Sequence, residues 1–332
     1  MTTQTAAEAT PATGTEQPHE RPPRPMSRLR WALDLTGRIL VGLGVLVLLF
    51  TAYQIWGTSL QEAHTQSQLR STLIKETNGQ EIRHALAEAA ALDKLPTGPP
   101  VTAPAMAAPP EGDPIGQITI PVIGVNQIVV EGTNTPDLRK GPGHYIGTPL
   151  PGEAGNVGVA GHRTTYGHPF YNLDSVKPGD PIVLTTTQGI FVYDAFRSFV
   201  ISPNDSQVIN NVSADWLTLT TCNPRFSATT RLVVQAKLAH SQLFANSGLA
   251  VAPTASGHAT PKSEQLAGDN GVDLAGALSW GLIALVLGAL TLLAGRRFRS
   301  QRWLAWIIGT AGLLVLLYFF FGAVSPLLPA SY

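Results

Sequence analysis

The chain has 332 residues, with 22 Lys plus Arg against 22 Asp plus Glu, and it is 44% hydrophobic but only 13% charged. Zero net charge argues against a nucleic-acid binder, which needs a basic surplus to neutralise phosphates. The single Cys, Cys222, excludes an intramolecular disulfide framework and a zinc site built on four thiolates.

Residues 1–38 are rich in Thr, Ala, Pro and Glu and are expected to form a disordered cytoplasmic tail. Residues 39–57 follow as an uncharged apolar run of the length a transmembrane helix needs. A signal peptide is the competing reading, but a long polar head precedes the run and no small-residue cleavage site follows closely. Residues 58–95 are polar and rich in Gln, Glu and Ala, with Leu69, Leu73, Ile82, Leu86 and Leu92 loosely spaced, which predicts a helical stalk. Residues 96–114 form a Pro-rich linker.

Residues 115–240 are long enough for a domain with its own core. The texture is β: short runs of Val, Ile and Thr punctuated by Gly, Pro and Asn. Strands are predicted at Gly116–Ile120, Asn126–Val130, Val157–Gly161, Pro181–Thr186, Ile190–Val200, Leu217–Thr221 and Arg231–Leu238. A closed β-barrel of about seven or eight strands hides the edges of so many short strands. Residues 241–273 read as a flexible tether, 274–295 as a second transmembrane helix, 296–302 as a basic turn and 303–324 as a third span. Residues 325–332 make a short tail.

Arg residues fix the expected orientation. Five lie in the N-terminal tail through Arg38, and Arg296, Arg297, Arg299 and Arg302 fill the turn between the last two spans. Both clusters are expected in the cytoplasm by the positive-inside rule, which places residues 58–273 and the C-terminal tail outside it.

The chemistry converges on three residues. Cys222 ends the β-like run Leu217 to Thr221 and precedes the turn signal Asn223-Pro224. A strand end entering a loop is where scaffolds present reactive groups, although a small buried core residue is equally consistent with that placement. His162 ends the run Asn156 to Ala160, and an imidazole beside a thiol activates it as a base or ion-pair partner. Arg231 opens the run Leu232 to Ala236, nine residues after Cys222, where a short return loop brings a guanidinium beside the thiol to stabilise an oxyanion. Arg225 is the rival, but it lies inside the turn.

The blocks Ile118-Thr-Ile-Pro121, Gly141-Pro-Gly-His-Tyr145, Gly161-His-Arg-Thr-Thr-Tyr-Gly167, Leu217-Thr-Leu-Thr-Thr-Cys222 and Thr230-Arg231 occur in this order. Together they resemble the sortases, cysteine transpeptidases of Gram-positive cell walls, and look most like the actinobacterial class E branch. The resemblance implies a closed β-barrel with short helices, a catalytic set of Cys222, His162 and Arg231, and no cofactor. It also implies that Cys222 attacks the Thr–Gly carbonyl of an LPXTG or LAXTG sorting signal on a surface protein. The acyl group then passes to the amine of a lipid II-type peptidoglycan precursor or, in pilus-building members, to a pilin Lys.

Thr220, Thr221 and Tyr166 are candidate substrate contacts. His144 and His168 sit in loop contexts and are assigned to the surface. Asp137, Glu153, Asp174 and Asp180 lack one-loop calcium spacing, so no metal is assigned. The C-terminal pair of spans departs from the simplest sortase plan. Two readings from other classes stand beside this one: a wall-remodelling cysteine hydrolase and a non-catalytic membrane scaffold.

Overall fold

The computed structural model describes residues 28–76, 81–88, 95–244, 274–297 and 302–325. Most of the expected N-terminal tail and of the tether lies outside them, as do the centre of the basic turn and the last seven residues. The chain divides into two units, Met1–Leu48 and Leu49–Tyr332. In the first, the N-terminal part of α1 (Arg28–Ala52) exposes Leu40, Val41 and Leu48 among many apolar side chains. A helix apolar all round belongs in an apolar solvent.

In the second unit α1 continues through a π turn (Tyr53–Gly57) into α2 (Thr58–Glu76), and α3 (Glu81–Glu88) follows. Near the other end of the chain, α5 (Leu274–Arg297) and α6 (Arg302–Val324) form an apolar hairpin. Gly309 lets the helices approach, since a Cβ there would collide with Thr291, and Trp280 stacks on Phe319 at 5.0 Å. Small residues at a helix contact serve this purpose where lipid removes the hydrophobic drive for association. Among the described residues three helices, Arg30–Lys75, Leu274–Arg297 and Trp306–Val324, are long and apolar enough to cross a membrane.

Between them lies a closed eight-stranded mixed barrel. Its strands are β1 (Pro114–Ile120), β2 (Val125–Glu131), β3 (Gly143–His144), β4 (Asn156–Ala160), β5 (Pro181–Thr186), β6 (Gly189–Ile201), β7 (Trp216–Asn223) and β8 (Thr230–Leu243), with a one-turn helix α4 (Thr135–Leu138) before β3. They close in the order β1-β2-β3-β4-β7-β8-β6-β5. Six pairings are antiparallel, and β2–β3 and β4–β7 are parallel. Ile118, Ile120, Val157, Val159, Leu217, Leu219, Leu232 and Val234 fill the interior with Phe170, Phe191 and Tyr193. Period-two alternation then sends Thr218, Thr220 and Cys222 of β7 to the outer face, with Arg231, Val233 and Gln235 of β8 opposite them.

All seven predicted strands are present. The eighth, β3, has only two residues and lacks the apolar run by which a strand is recognised in sequence. It carries a correction. His144 is not a surface residue but 1% exposed, with Nδ1 at 2.8 Å from Glu131 Oε2 and Nε2 at 2.9 Å from both Pro149 O and Thr148 Oγ1. A Gly-Pro-Gly context reads as exposed loop, but here the segment bridges β2, to which it runs parallel, and β4, to which it runs antiparallel. His168 is exposed, as expected.

The helical segment after the first span does not stand off as a stalk. Leu69, Leu73, Ile82 and Leu86 pack on Ile128 and Val130, the outward-facing residues of β2. Each such fully buried side chain contributes roughly 1.5–3 kcal/mol, so β2 is apolar on both faces because both are covered. Gln66 reinforces the seat. Its amide donates to Ile128 O (2.9 Å) and Lys140 O (2.8 Å), and its carbonyl accepts from Ile128 N (2.6 Å). The Pro-rich segment is also laid on the barrel. Ala103 N donates to Gly152 O (2.8 Å), Val101 exchanges two hydrogen bonds with Ser241, and Gln188 donates to Pro104 O (2.7 Å). Extended Pro-rich chain keeps its carbonyls free for such contacts.

Candidate active site

Strand register brings the three candidates together. Cys222 stands directly opposite Arg231 in the antiparallel β7–β8 ladder, so their side chains share the outer face with Cβ atoms about 5 Å apart. β4 runs parallel to β7 with Ala160 paired to Thr220. His162 and Cys222 therefore each leave the same end of neighbouring strands, two residues beyond that pair. Gly161 N donates to Thr220 O (3.1 Å) and extends the ladder towards the site.

Cys222, His162 and Arg231 are 2%, 4% and 5% exposed. The thiol packs in a small apolar cluster with Leu138, Tyr145, Ala160 and Ile209. Burial pushes it up to about 11, outweighing the opposing pull of Arg231 and then Arg163. So buried, it is a neutral thiol at pH 7. Alkylation of the protein by iodoacetamide is accordingly expected to be slow at neutral pH and to rise about tenfold per unit from about pH 7 to about pH 10, in proportion to the thiolate fraction. A rate that levels off near pH 7 would contradict it.

Arg231 Nη1 donates to Ala228 O (3.1 Å) and Thr230 O (3.3 Å), so carbonyls of its own loop steady the guanidinium. His162 Nδ1 lies 3.3 Å from Thr165 Oγ1, and its ring meets that of Tyr166 at 5.1 Å. Tyr166 is held at φ 48, in the left-handed region, with the Arg139 guanidinium 5.6 Å from its ring centroid. It sits against the His162 imidazole, buried rather than open to solvent.

The two Thr candidates part ways. Thr220 shares the face of Cys222, but its hydroxyl is engaged with Tyr145 Oη at 2.7 Å. Thr221 points to the opposite face and donates to Gly161 O (2.7 Å), a strut between β7 and the end of β4. Two residues escaped the sequence reading. Tyr145, pushed up to about 12 by burial, is a neutral hydroxyl against Thr220 and close enough to feel the charge of Arg231. Arg163 Nη1 donates to Cys222 O (3.0 Å) and Asn223 Oδ1 (2.8 Å), while Nη2 lies 3.1 Å from Asp174 Oδ2. It ties the His loop to the Cys strand. Arg225 is the solvent-side residue expected, paired with Asp174 at 2.9 Å and placed over Tyr171.

The chemical content is a thiol, an imidazole and a guanidinium at one end of a barrel, the composition required for acyl transfer through a thioester. A sortase-domain family model matches residues 118–239. The putative sortase YwpE of Bacillus subtilis is 30% identical over 88 residues, covering 26% of this chain and 86% of its own length. The chain belongs to the sortase family. Sortase SrtE1 of Streptomyces coelicolor is 31% identical over 220 residues, covering 61% of this chain and 56% of its own length. Sortase D of Bacillus subtilis is 33% identical over 117 residues, covering 35% of this chain and 58% of its own. This sortase thus spans just over half the length of those two relatives.

Proposed function

We propose that this sortase is a membrane-anchored cysteine transpeptidase with Cys222 as nucleophile, His162 as acid and base, and Arg231 as oxyanion donor. The β7–β8 register opposing Cys222 and Arg231, with His162 at the matching end of β4, carries this reading. Cys222 Sγ attacks the Thr carbonyl of an LPXTG or LAXTG signal as its proton passes to His162. The C–N bond to Gly breaks, His162 returns the proton to the leaving amine, and a thioacyl enzyme remains. An incoming amine then attacks, His162 takes its proton, and Cys222 leaves protonated. Arg231 stabilises both tetrahedral oxyanions.

The acceptor is the amine of a lipid II-type cell-wall precursor. In this reading the three apolar helices cross the membrane among its lipids with the Arg clusters in the cytoplasm, by the positive-inside rule, and the barrel lies outside the cell. We further assign residues 115–240 as the catalytic domain.

Incubating the full chain with an LAXTG-type peptide and diaminopimelate or oligoglycine is expected to yield the new amide. Hydrolysis alone would favour the hydrolase. Arg231→Ala is expected to lower kcat about 10²-fold, the usual cost of one oxyanion donor, with a much smaller change in KM. A loss confined to KM would reassign Arg231 to signal binding.

A further inference from the structure

The loop that carries His162 is built against the helix that leaves the membrane. Thr58, Glu62, Gln66, Leu69 and Leu73 recur at three- and four-residue spacing on one face of α2, and this face lies on the barrel. Thr58 Oγ1 accepts a hydrogen bond from Tyr166 N (3.2 Å) while donating to Gln54 O (2.8 Å). One turn further on, the Glu62 carboxyl presses on Gly167, where an added Cβ would stand 2.7 Å from Glu62 Cδ. Glu62 is 4% exposed, and its Oε1 is buried with no hydrogen-bond partner. A carboxylate in that setting is costly, whereas a neutral carboxyl is tolerated.

We propose that Glu62 is a positioning residue for His162: as a neutral carboxyl it seats the 164–168 loop on α2, and its ionisation loosens that seat. The positioning role rests on the assignment of His162 above. Through it the membrane-proximal helix governs how firmly Tyr166, and the imidazole it stacks on, are held.

The titratable and charged groups around this seat are Tyr53 of the π turn, Tyr318 of α6 packed on it, Arg139 after α4, and His162 and Tyr166 of the loop itself. Gln127 of β2 adds a neutral amide beside Gly167. No charge among them moves Glu62, and burial alone raises it from 4.5 to about 7. The sign follows. A carboxyl with a higher value in the seated state favours seating while protonated. The seat is therefore strongest below about pH 4.5, weakens as pH rises to about 7, and is constant above that.

The test uses the full chain in lipid nanodiscs. Hydrogen exchange of peptides covering 162–170, corrected for intrinsic rates, is measured from pH 4.5 to 8.5 alongside kcat with an LAXTG-type peptide. Wild-type loop opening is expected to increase up to about a hundredfold between pH 4.5 and 7, whereas Glu62→Gln stays closed throughout. The kcat ratio of Glu62→Gln to wild type is expected to be near one at pH 5 and several-fold above one at pH 8. Glu62→Ala, which lacks the seat, is expected to exchange fast and turn over slowly at every pH. Superimposable exchange curves for wild type and Glu62→Gln overturn the proposal. A pH-dependent loop with parallel kcat profiles overturns the positioning role. Loop movement in a wild type that never turns over peptide overturns the functional assignment and the positioning role with it, while leaving the seat itself demonstrated.

Discussion

Cys222→Ala is expected to abolish cleavage of an LAXTG-type peptide, with at least about 10⁴-fold loss by HPLC assay, while the protein stays folded. The size follows from the absence of a substitute. Cys222 is the one thiol in the chain, and the residues flanking it are already committed: Thr221 to Gly161 O, Thr220 to Tyr145, Asn223 to Arg163. No neighbour is placed to take over the nucleophile's position opposite Arg231. Survival of the fold follows from the small change. One sulfur leaves a side cluster of Leu138, Tyr145, Ala160 and Ile209, outside the interior of the barrel. Such a truncation costs on the order of 1–2 kcal/mol, well short of unfolding a barrel of this size. Activity retained by the variant would remove Cys222 from the chemistry.

His162→Ala is expected to slow turnover by about 10³-fold or more, because in the proposed mechanism the same imidazole serves both halves of the reaction. A buried thiol at about 11 holds its proton until a base takes it, so acylation should suffer first and single-turnover acyl formation should fall as steeply as kcat. The loop itself should persist, since Arg163 holds it to Cys222 O, Asn223 and Asp174, and Thr58 holds Tyr166 N. Normal acylation with slow amine capture would restrict His162 to the second step.

The legible part of the molecule is the part written in short-range pattern. Alternating Val, Ile and Thr runs bounded by Gly, Pro and Asn mark seven strands. Three uncharged runs mark helices apolar enough for a membrane, and strand-end placement picks out Cys222 and His162. What was hidden depends on register and on packing between distant segments. His144 looks exposed because nothing local shows Glu131 waiting thirteen residues upstream. Thr220 and Thr221 are indistinguishable until the pleat assigns them to opposite faces. Arg163 and Tyr145 act through a carbonyl and a hydroxyl of β7, partners that leave no trace in sequence. The loosely spaced Leu residues of 58–95 suggest a weak helix, and their purpose shows only against Ile128 and Val130. The neutral formal charge conceals segregation too: the two Arg clusters flank the spans, while the barrel segment 115–240 carries eight basic and eight acidic residues.

The most direct test of transpeptidation through Cys222 is intact-mass analysis of the full chain mixed with an LAXTG-type peptide in the absence of an acceptor. A single adduct equal to the acyl fragment ending in Thr is predicted, released by hydroxylamine, mapped to the peptide containing Cys222, and converted to a new amide when the amine is added. Peptide cleavage without any adduct, or an adduct that persists in Cys222→Ala, would contradict it.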